Sequence, residues 1–175
     1  MKLPKNMTRI IFMLLIGLSI SSCDQKKKMK AVNPINMEIR AINFKLNDSL
    51  KSGSSYLSVY SQIYSRSEHR TQDLTATVSM RNTNIADTIY IFKAAYFDTN
   101  GNEIRNYIKK PIFIGPMETV EIVIDEIDKE GGTGANFLFK WKIAENANVP
   151  FFEAVMISTS GQQGLSFTTE GRTIN

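Results

Sequence analysis

The sequence predicts an all-β fold: an antiparallel sandwich or Greek-key barrel of immunoglobulin-like build, with seven or eight strands, after an N-terminal signal helix. From residue 56 onward, apolar side chains recur at every second position, which is the period of a half-buried strand. Turn signals made of Gly, Asn and Pro separate these runs at short spacing, and no run has a convincing helical period. The chain has a single cysteine, which excludes the disulfide of an antibody-type domain.

The segment 35–54 is ambiguous, and we treat it as an N-terminal extension to a β domain at 55–175. Its aliphatic residues fit one face of a helix, and they also fit two short strands with a slip between them. Periodicity does not decide between these alternatives over so short a run. Ser52-Gly53-Ser54-Ser55 then predicts a loop.

The remaining strands follow in order along the β domain. Between residues 56 and 64, three apolar residues alternate with three tyrosines. Asn100-Gly101 predicts a hairpin turn, because both residues tolerate positive φ. The later predicted strands cover residues 74–80, 88–97, 103–108, 120–124, 137–143, 151–157 and 165–167.

The first 22 residues have the order of a secretory signal. Positive residues at 2, 5 and 9 precede an apolar run at 10–20, and Ser21 and Ser22 are the small residues before a cleavage point. The run of about 11 residues is shorter than the roughly 20 that a membrane-spanning helix needs. With Cys23, the stretch resembles the lipobox of bacterial lipoproteins, so it predicts cleavage before Cys23 and lipidation of its thiol.

The charge of the mature chain does not favour a nucleic-acid partner. Removal of residues 1–22 leaves 18 basic and 17 acidic residues, so the formal net charge falls from +4 to +1. Four of the remaining basic residues lie at 26–28 and 30, in a polar tether that we assign to 23–34. These lysines either rest on anionic headgroups or form a solvated spacer, and both alternatives stay open.

From residue 56 onward the chain resembles the bacterial family called domain of unknown function 3124, which occurs in exported proteins and lipoproteins. The resemblance implies one compact domain of about 120 residues, and it implies no activity and no catalytic residues. The residues that carry it are 60–64, 74–83, 131–137 with Trp141, 153–157, and 164–167 with Gly171 and Arg172.

The titratable residues form no familiar catalytic or metal-binding pattern, so we predict no catalytic residue, metal or cofactor. His69 is the only histidine and lies in the charged segment 66–70, which predicts a surface loop. Asp98, Asn100 and Asn102 imitate the start of a calcium loop, but the later positions do not fit, so a hairpin turn is favoured. The acids at 125–130 favour a solvated loop over a calcium site.

The glycine-rich stretch at 131–136 is the most pointed candidate for a ligand-binding loop. A predicted strand follows it, whereas a phosphate-binding loop needs a helix there, so the stretch does not fit a nucleotide-binding loop. A bulged turn into the next strand is favoured over a shaped binding loop. Sandwich loops cluster at the ends of the sheets, so we predict a binding edge formed by Gly132, Gly134, Asn136 and Gln163.

Three charged residues beside apolar strands, Arg81, Glu153 and Arg172, are further candidate binding residues. An alternative hypothesis makes them the site of an enzyme of unfamiliar type. Tyr56, Tyr60 and Tyr64 are spaced four residues apart. If they lie on one strand, they form an aromatic strip, which serves either for binding or for cross-strand packing.

The sequence therefore predicts a lipid-anchored β domain of the bacterial cell envelope, facing the periplasm. The favoured function is a binding or interaction module, because no catalytic constellation accompanies the fold. Its expected partners are the membrane, through the lipid on Cys23, and an envelope protein or glycan.

Overall fold

The computed structural model describes residues 37–43, 49–159 and 164–174, and these form twelve strands and one short 3-10 turn at Gly132–Gly134. The strands are β1 (Lys51–Ser58), β2 (Gln62–Ser65), β3 (Ser67–Asp73), β4 (Thr75–Arg81), β5 (Ile89–Phe97), β6 (Glu103–Asn106), β7 (Ile112–Ile114), β8 (Thr119–Ile124), β9 (Asn136–Ile143), β10 (Phe151–Ser158), β11 (Leu165–Glu170) and β12 (Arg172–Ile174).

Two antiparallel sheets form a sandwich, which confirms the predicted fold class. The first sheet has the order β12-β1-β9-β5-β6, with β7 also paired to β5, and the second has the order β11-β10-β4-β8. A separate hairpin joins β2 and β3. The sheets do not close into a barrel, and the described residues form more strands than the seven or eight that the sequence predicted.

Alternating side chains from both sheets fill the core. The pattern is cleanest in β9, where Phe137, Phe139, Trp141 and Ile143 are all buried, as their spacing predicted. Phe139 stacks on Phe152 of β10 with ring centroids 4.0 Å apart. Because β9 and β10 belong to different sheets, this stack joins the two layers directly.

A single glycine carries the chain from one sheet to the other near the C-terminal end. β11 pairs with β10 in the four-stranded sheet, and β12 pairs with β1 in the six-stranded sheet. Between them, the Gly171 N–H donates to the Phe152 carbonyl oxygen at 2.8 Å. A Cβ at position 171 would lie 2.8 Å from the Phe152 Cβ, so the crossing has no room for a side chain.

The predicted loop at 52–55 is wrong, because these residues belong to β1. The strand pairs with β9 from Lys51 to Ser58. Gly53 lies against the indole ring of Trp141, and the Trp141 Nε1–H donates to the Ser55 hydroxyl at 3.0 Å. The glycine is therefore present because the indole occupies the space of a side chain, and it does not mark a turn.

The three tyrosines do not form one strip, because the chain leaves β1 after Ser58. Tyr56 is on β1 in the six-stranded sheet, and Tyr64 is on β2 in the separate hairpin. Tyr60 lies between the two strands and packs its ring edge against Phe167, with centroids 5.8 Å apart. The predicted hairpin at Asn100-Gly101 is confirmed, since β5 and β6 pair around it.

The predictions for residues 1–36, including the signal peptide and Cys23, lie outside the described residues, as does Gln163. In the ambiguous extension, residues 37–40 form a turn and Ala41 bridges to Ile112 of β7. Arg40 of this turn forms an ion pair with Glu118 at 2.7 Å. Within the part of the chain that the structure describes, no helix is long and apolar enough to cross a membrane.

Candidate functional site

Arg81 and Glu153 meet on the outer face of the four-stranded sheet. They lie on the neighbouring strands β4 and β10, and the Arg81 Nε donates to the Glu153 Oε1 at 2.7 Å. A second guanidinium nitrogen lies 2.6 Å from the same oxygen, and a third donates to the Thr119 hydroxyl at 3.1 Å. This cation is thus satisfied by its own chain.

Arg172 does not join this pair. It lies on β12, where it is in register with Tyr56 of the six-stranded sheet. Glu153 is in register instead with Glu170 of β11. The structure therefore brings together two of the three residues proposed for an enzyme site.

The glycine-rich stretch forms a 3-10 turn that is bound to the Asp98–Gly101 hairpin turn by Thr99. The Thr99 hydroxyl donates to the Gly131 carbonyl oxygen at 3.1 Å and accepts from the Gly134 N–H at 2.9 Å. Gly132 has φ of +70°, which favours glycine, and its carbonyl oxygen accepts from the Ser61 hydroxyl at 3.2 Å. These contacts give the glycines a structural role as a tied turn, and Asn136 begins β9 immediately after it.

Tyr96 explains why Gly131 is a glycine. The fully buried phenol lies against the Gly131 backbone, where a Cβ would collide with its oxygen. Burial raises the pKa of Tyr96 to about 12. Among the described residues, its hydroxyl has no hydrogen bond of normal geometry. Sequence inspection missed this cluster, since its members are far apart along the chain.

The acidic loop that follows β8 is held by an arginine. Arg105 pairs with Asp128 at 2.8 Å and with Glu130, while its guanidinium lies over the rings of Tyr96 and Tyr107. Two of the four carboxylates of this loop, those of Asp128 and Glu130, are therefore engaged by a cation. Within the described ranges, no group of three or more His, Cys, Asp or Glu side chains is placed to hold a metal ion.

His69 lies in the hairpin, in a segment that the sequence predicted as a loop and that forms strand β3. Every residue from Ser67 to Thr71 is exposed, and the imidazole is within 3.4 Å of Glu68. Within the hairpin, Gln62 donates to Asp73 at 2.7 Å, and the pair between Lys129 and Asp73 at 2.6 Å fastens the hairpin to the domain.

The outer face of the six-stranded sheet has a groove of about 710 Å³ that sequence inspection did not find. Two cross-strand pairs form its middle, because Ser52 is opposite Lys142 and Ser54 is opposite Lys140. Lys93 of β5 is opposite Lys140 on the other side. We call these five residues the basic face.

Apolar side chains border the same groove. Phe92 lies beneath the Lys142 ammonium, 5.4 Å from nitrogen to ring centroid. Ile174 and Val149, which are 40% and 43% exposed, complete its rim. The described residues that line the groove include no carboxylate, and neither Lys140 nor Lys142 forms an ion pair with any described residue.

A second depression of about 550 Å³ lies beside β7. Met37, Tyr107 and Ile112 contribute apolar surface to it, and Lys109 and Lys110 contribute positive charge. Glu38 also lines this depression, so the charge there is mixed. The groove with the basic face is therefore the better candidate for an anionic ligand.

The sequence model of a family described as "Protein of unknown function (DUF3124)" matches residues 52–174. No curated protein matches the chain. A solved structure described as "Crystal Structure of Thermotoga maritima 1070" is similar over 69% of this chain and 92% of that chain, with 10% sequence identity and a TM-score of 0.44. A similarity of this degree carries no argument about function.

Proposed function

The chain belongs to the DUF3124 family, whose function is unknown, and from that premise we propose that it is a lipid-anchored binding module of the bacterial cell envelope. In this proposal the lipid on Cys23 attaches the protein to a membrane, and the β domain projects into the periplasm. The sandwich binds a partner through its surface and performs no chemistry of its own.

The N-terminal sequence supports the anchor. A positive n-region, an apolar run and two small residues precede Cys23, the only cysteine in the chain. An exported chain enters an oxidising compartment, where a lone free thiol is reactive. Lipidation removes that thiol, so the cysteine content agrees with the proposed anchor.

The groove on the six-stranded sheet is the observation that carries the binding role. It combines two ammonium groups that pair with no described carboxylate, two hydroxyl groups and an aromatic ring. Proteins normally pair or hydrate such cations, and a concave surface with both apolar and charged groups is typical of a binding site. Arg81 and Glu153 line neither this groove nor the depression beside β7.

The anchor is tested by metabolic labelling with an alkyne-tagged fatty acid in a bacterial host. We expect labelled, membrane-associated protein from the wild-type chain and unlabelled, uncut protein from Cys23→Ser. Ser22→Ala is the matched control, because it keeps a small residue before the cleavage point and retains labelling. Equal labelling of wild type and Cys23→Ser would contradict the anchor.

The binding role is tested by site-specific photo-crosslinking in intact cells. A photoreactive residue at Ser52, within the groove, is expected to give discrete crosslinked products. The matched control is the same residue at Thr77, which lies on the outer face of the four-stranded sheet between Ala76 and Val78. The absence of any crosslink at Ser52, or the same crosslinked products at Ser52 and Thr77, would contradict the assignment of the binding role to this groove.

A further inference from the structure

This inference rests on the proposed lipid anchor. We propose that the basic face docks on the anionic headgroups of the membrane that holds the anchor. The anionic membrane surface is then the partner that the groove binds, and the domain does not hang free from its tether. It lies with the six-stranded sheet toward the bilayer and the four-stranded sheet toward the periplasm.

The arrangement of cations fits a layer of phosphate groups. Lys140 and Lys142 are two positions apart on β9, so they share a face about 7 Å apart along the strand. Each has a serine opposite at about 5 Å between Cβ atoms, and a hydroxyl can donate to a phosphate oxygen beside each ammonium. All four side chains lie on the same face of the sheet, so they can meet a surface together.

The apolar groups around the lysines fit the interfacial region of a bilayer. Long lysine stems cover apolar surface while their ammonium groups reach toward charge, and aromatic rings favour the headgroup level. Phe92 lies under Lys142, and Phe97 lies 6.0 Å from the Lys93 nitrogen. Tyr56, 39% exposed in the adjacent row, enlarges the aromatic part of this surface.

The length of chain before the domain permits this contact. Cys23 and Met37 are 14 residues apart, which spans at most about 50 Å when extended. The tether lysines at 26–28 and 30 have the same charge as the basic face, so both favour an anionic surface. Anchoring also holds the face at high effective concentration near headgroups, so weak contacts suffice.

The opposite face of the sandwich would be repelled by the same surface. Glu121, Glu153 and Glu170 lie in one row across β8, β10 and β11, with Ser79 of β4 between the first two. Arg81 neutralises only Glu153 by direct pairing. Charge therefore selects one of the two broad faces of the domain for contact with anionic lipid.

The test is lysine footprinting of the full mature lipidated chain in proteoliposomes. The reactivity of each lysine toward an acetylating reagent is measured by mass spectrometry on phosphatidylcholine vesicles and on vesicles with phosphatidylglycerol added. We expect Lys140 and Lys142 to react about fivefold more slowly on the anionic vesicles, and the protection to disappear at high salt.

A pair of variants tests whether the basic face itself causes the orientation. Lys51, exposed at the rim of the groove, serves as the reporter. Its protection on anionic vesicles is expected to be lost in Lys140→Gln/Lys142→Gln and kept in Lys109→Gln/Lys110→Gln. The control pair removes the same charge from two exposed lysines in the β6–β7 connection, away from the groove.

Three outcomes would overturn the inference. They are equal reactivity of Lys140 on both vesicles, equal protection of Lys109 and Lys140, or the same protection from soluble polyphosphate without vesicles, which would assign the face to a soluble anion. A chain that stays anchored while Lys140 remains reactive refutes only the docking. A chain that does not float with either vesicle refutes the proposed anchor as well.

Discussion

The two outer faces of the sandwich differ in how their charges are satisfied. On the four-stranded sheet, Arg81 binds Glu153 and Thr119, so its cation is paired within the chain. On the six-stranded sheet, Lys93 pairs with Glu103 at 2.7 Å, whereas Lys140 and Lys142 have no ion-pair partner among the described residues. A paired charge is satisfied by the fold itself, whereas like charges beside a groove remain available to water or to an anionic partner.

The largest expected effect comes from removing the contact that supports both faces. Phe139→Ala deletes a buried ring that stacks on Phe152 across the two sheets, and we expect a loss of about 3–5 kcal/mol in the free energy of unfolding. Urea unfolding followed by two probes, one on each sheet, should still give one transition. Phe113→Ala, at an exposed ring, is the control. Two separate transitions would mean that the sheets unfold independently.

A smaller effect is expected from a change beneath the basic face alone. Gly53→Ala places a methyl group where the Trp141 indole lies, so the indole must shift from its hydrogen bond to Ser55. We expect a loss of roughly 1–3 kcal/mol in the free energy of unfolding and a change in tryptophan fluorescence. Gly164→Ala is the matched control, since nothing lies within 4 Å of its added Cβ. Equal stability of the two variants would contradict this packing.

Removing charged side chains should show most directly that the charges of the two faces contribute differently to stability. Arg81→Gln is expected to cost about 1 kcal/mol of stability, and a double-mutant cycle with Glu153→Gln should give a coupling of about 0.5–1 kcal/mol. Lys140→Gln/Lys142→Gln is expected to stay within about 0.5 kcal/mol of wild type, because neither lysine pairs with a described carboxylate. Denaturant unfolding checks both values. A strongly destabilised lysine variant would show that the basic face has a structural role.

The smallest effect concerns a carboxylate outside both faces. Hydrogen bonds from Lys129 and then Gln62 lower the pKa of Asp73 below its ordinary 3.8. A lowered folded-state pKa contributes stability above about pH 4, and that stability is lost as the pH falls through the folded-state value. Asp73→Asn should therefore cost about 0.5 kcal/mol at pH 7 and less at pH 3.

The Asp73 prediction has its own control in the partner residue. Lys129→Gln removes the first of the two donors, so it should reproduce the pH-dependent loss while leaving the carboxylate in place. Unfolding by urea at the two pH values gives both differences. A difference in the free energy of unfolding between wild type and Asp73→Asn that grows as the pH falls toward 3 would contradict the prediction.

Strands that bury one face were predictable from the sequence. In β8, for example, Val120, Ile122 and Ile124 are buried and alternate with more exposed residues. The hairpin strand β3 has five exposed polar residues in succession, so it has no apolar period to detect. Strand β12 is exposed throughout, and its pairing with β1 depends on a long-range register. Burial leaves a pattern in sequence, and hydrogen bonding between exposed backbones does not.

The candidate site shows the same limit. The strand period over 137–143 is enough to place Lys140 and Lys142 on the face opposite the buried side chains of β9. It did not indicate that Ser52 and Ser54 lie opposite them, because those residues were predicted to form a loop. The Arg81–Glu153 contact was anticipated only as one combination among three charged residues. Charged residues can be placed on a face by periodicity, but their neighbours follow from strand order.

The crossing at Gly171 sets an order of events during folding. Among the described strands β1 is made first, and its two neighbours in the sheet, β9 and β12, are made late and last. A chain that emerges from its N-terminal end thus carries β1 unpaired while most of the domain is synthesised. Such a long sequence separation slows folding and keeps the chain extended for longer. Only when β12 has been made does the six-stranded sheet gain the strand that covers its β1 edge.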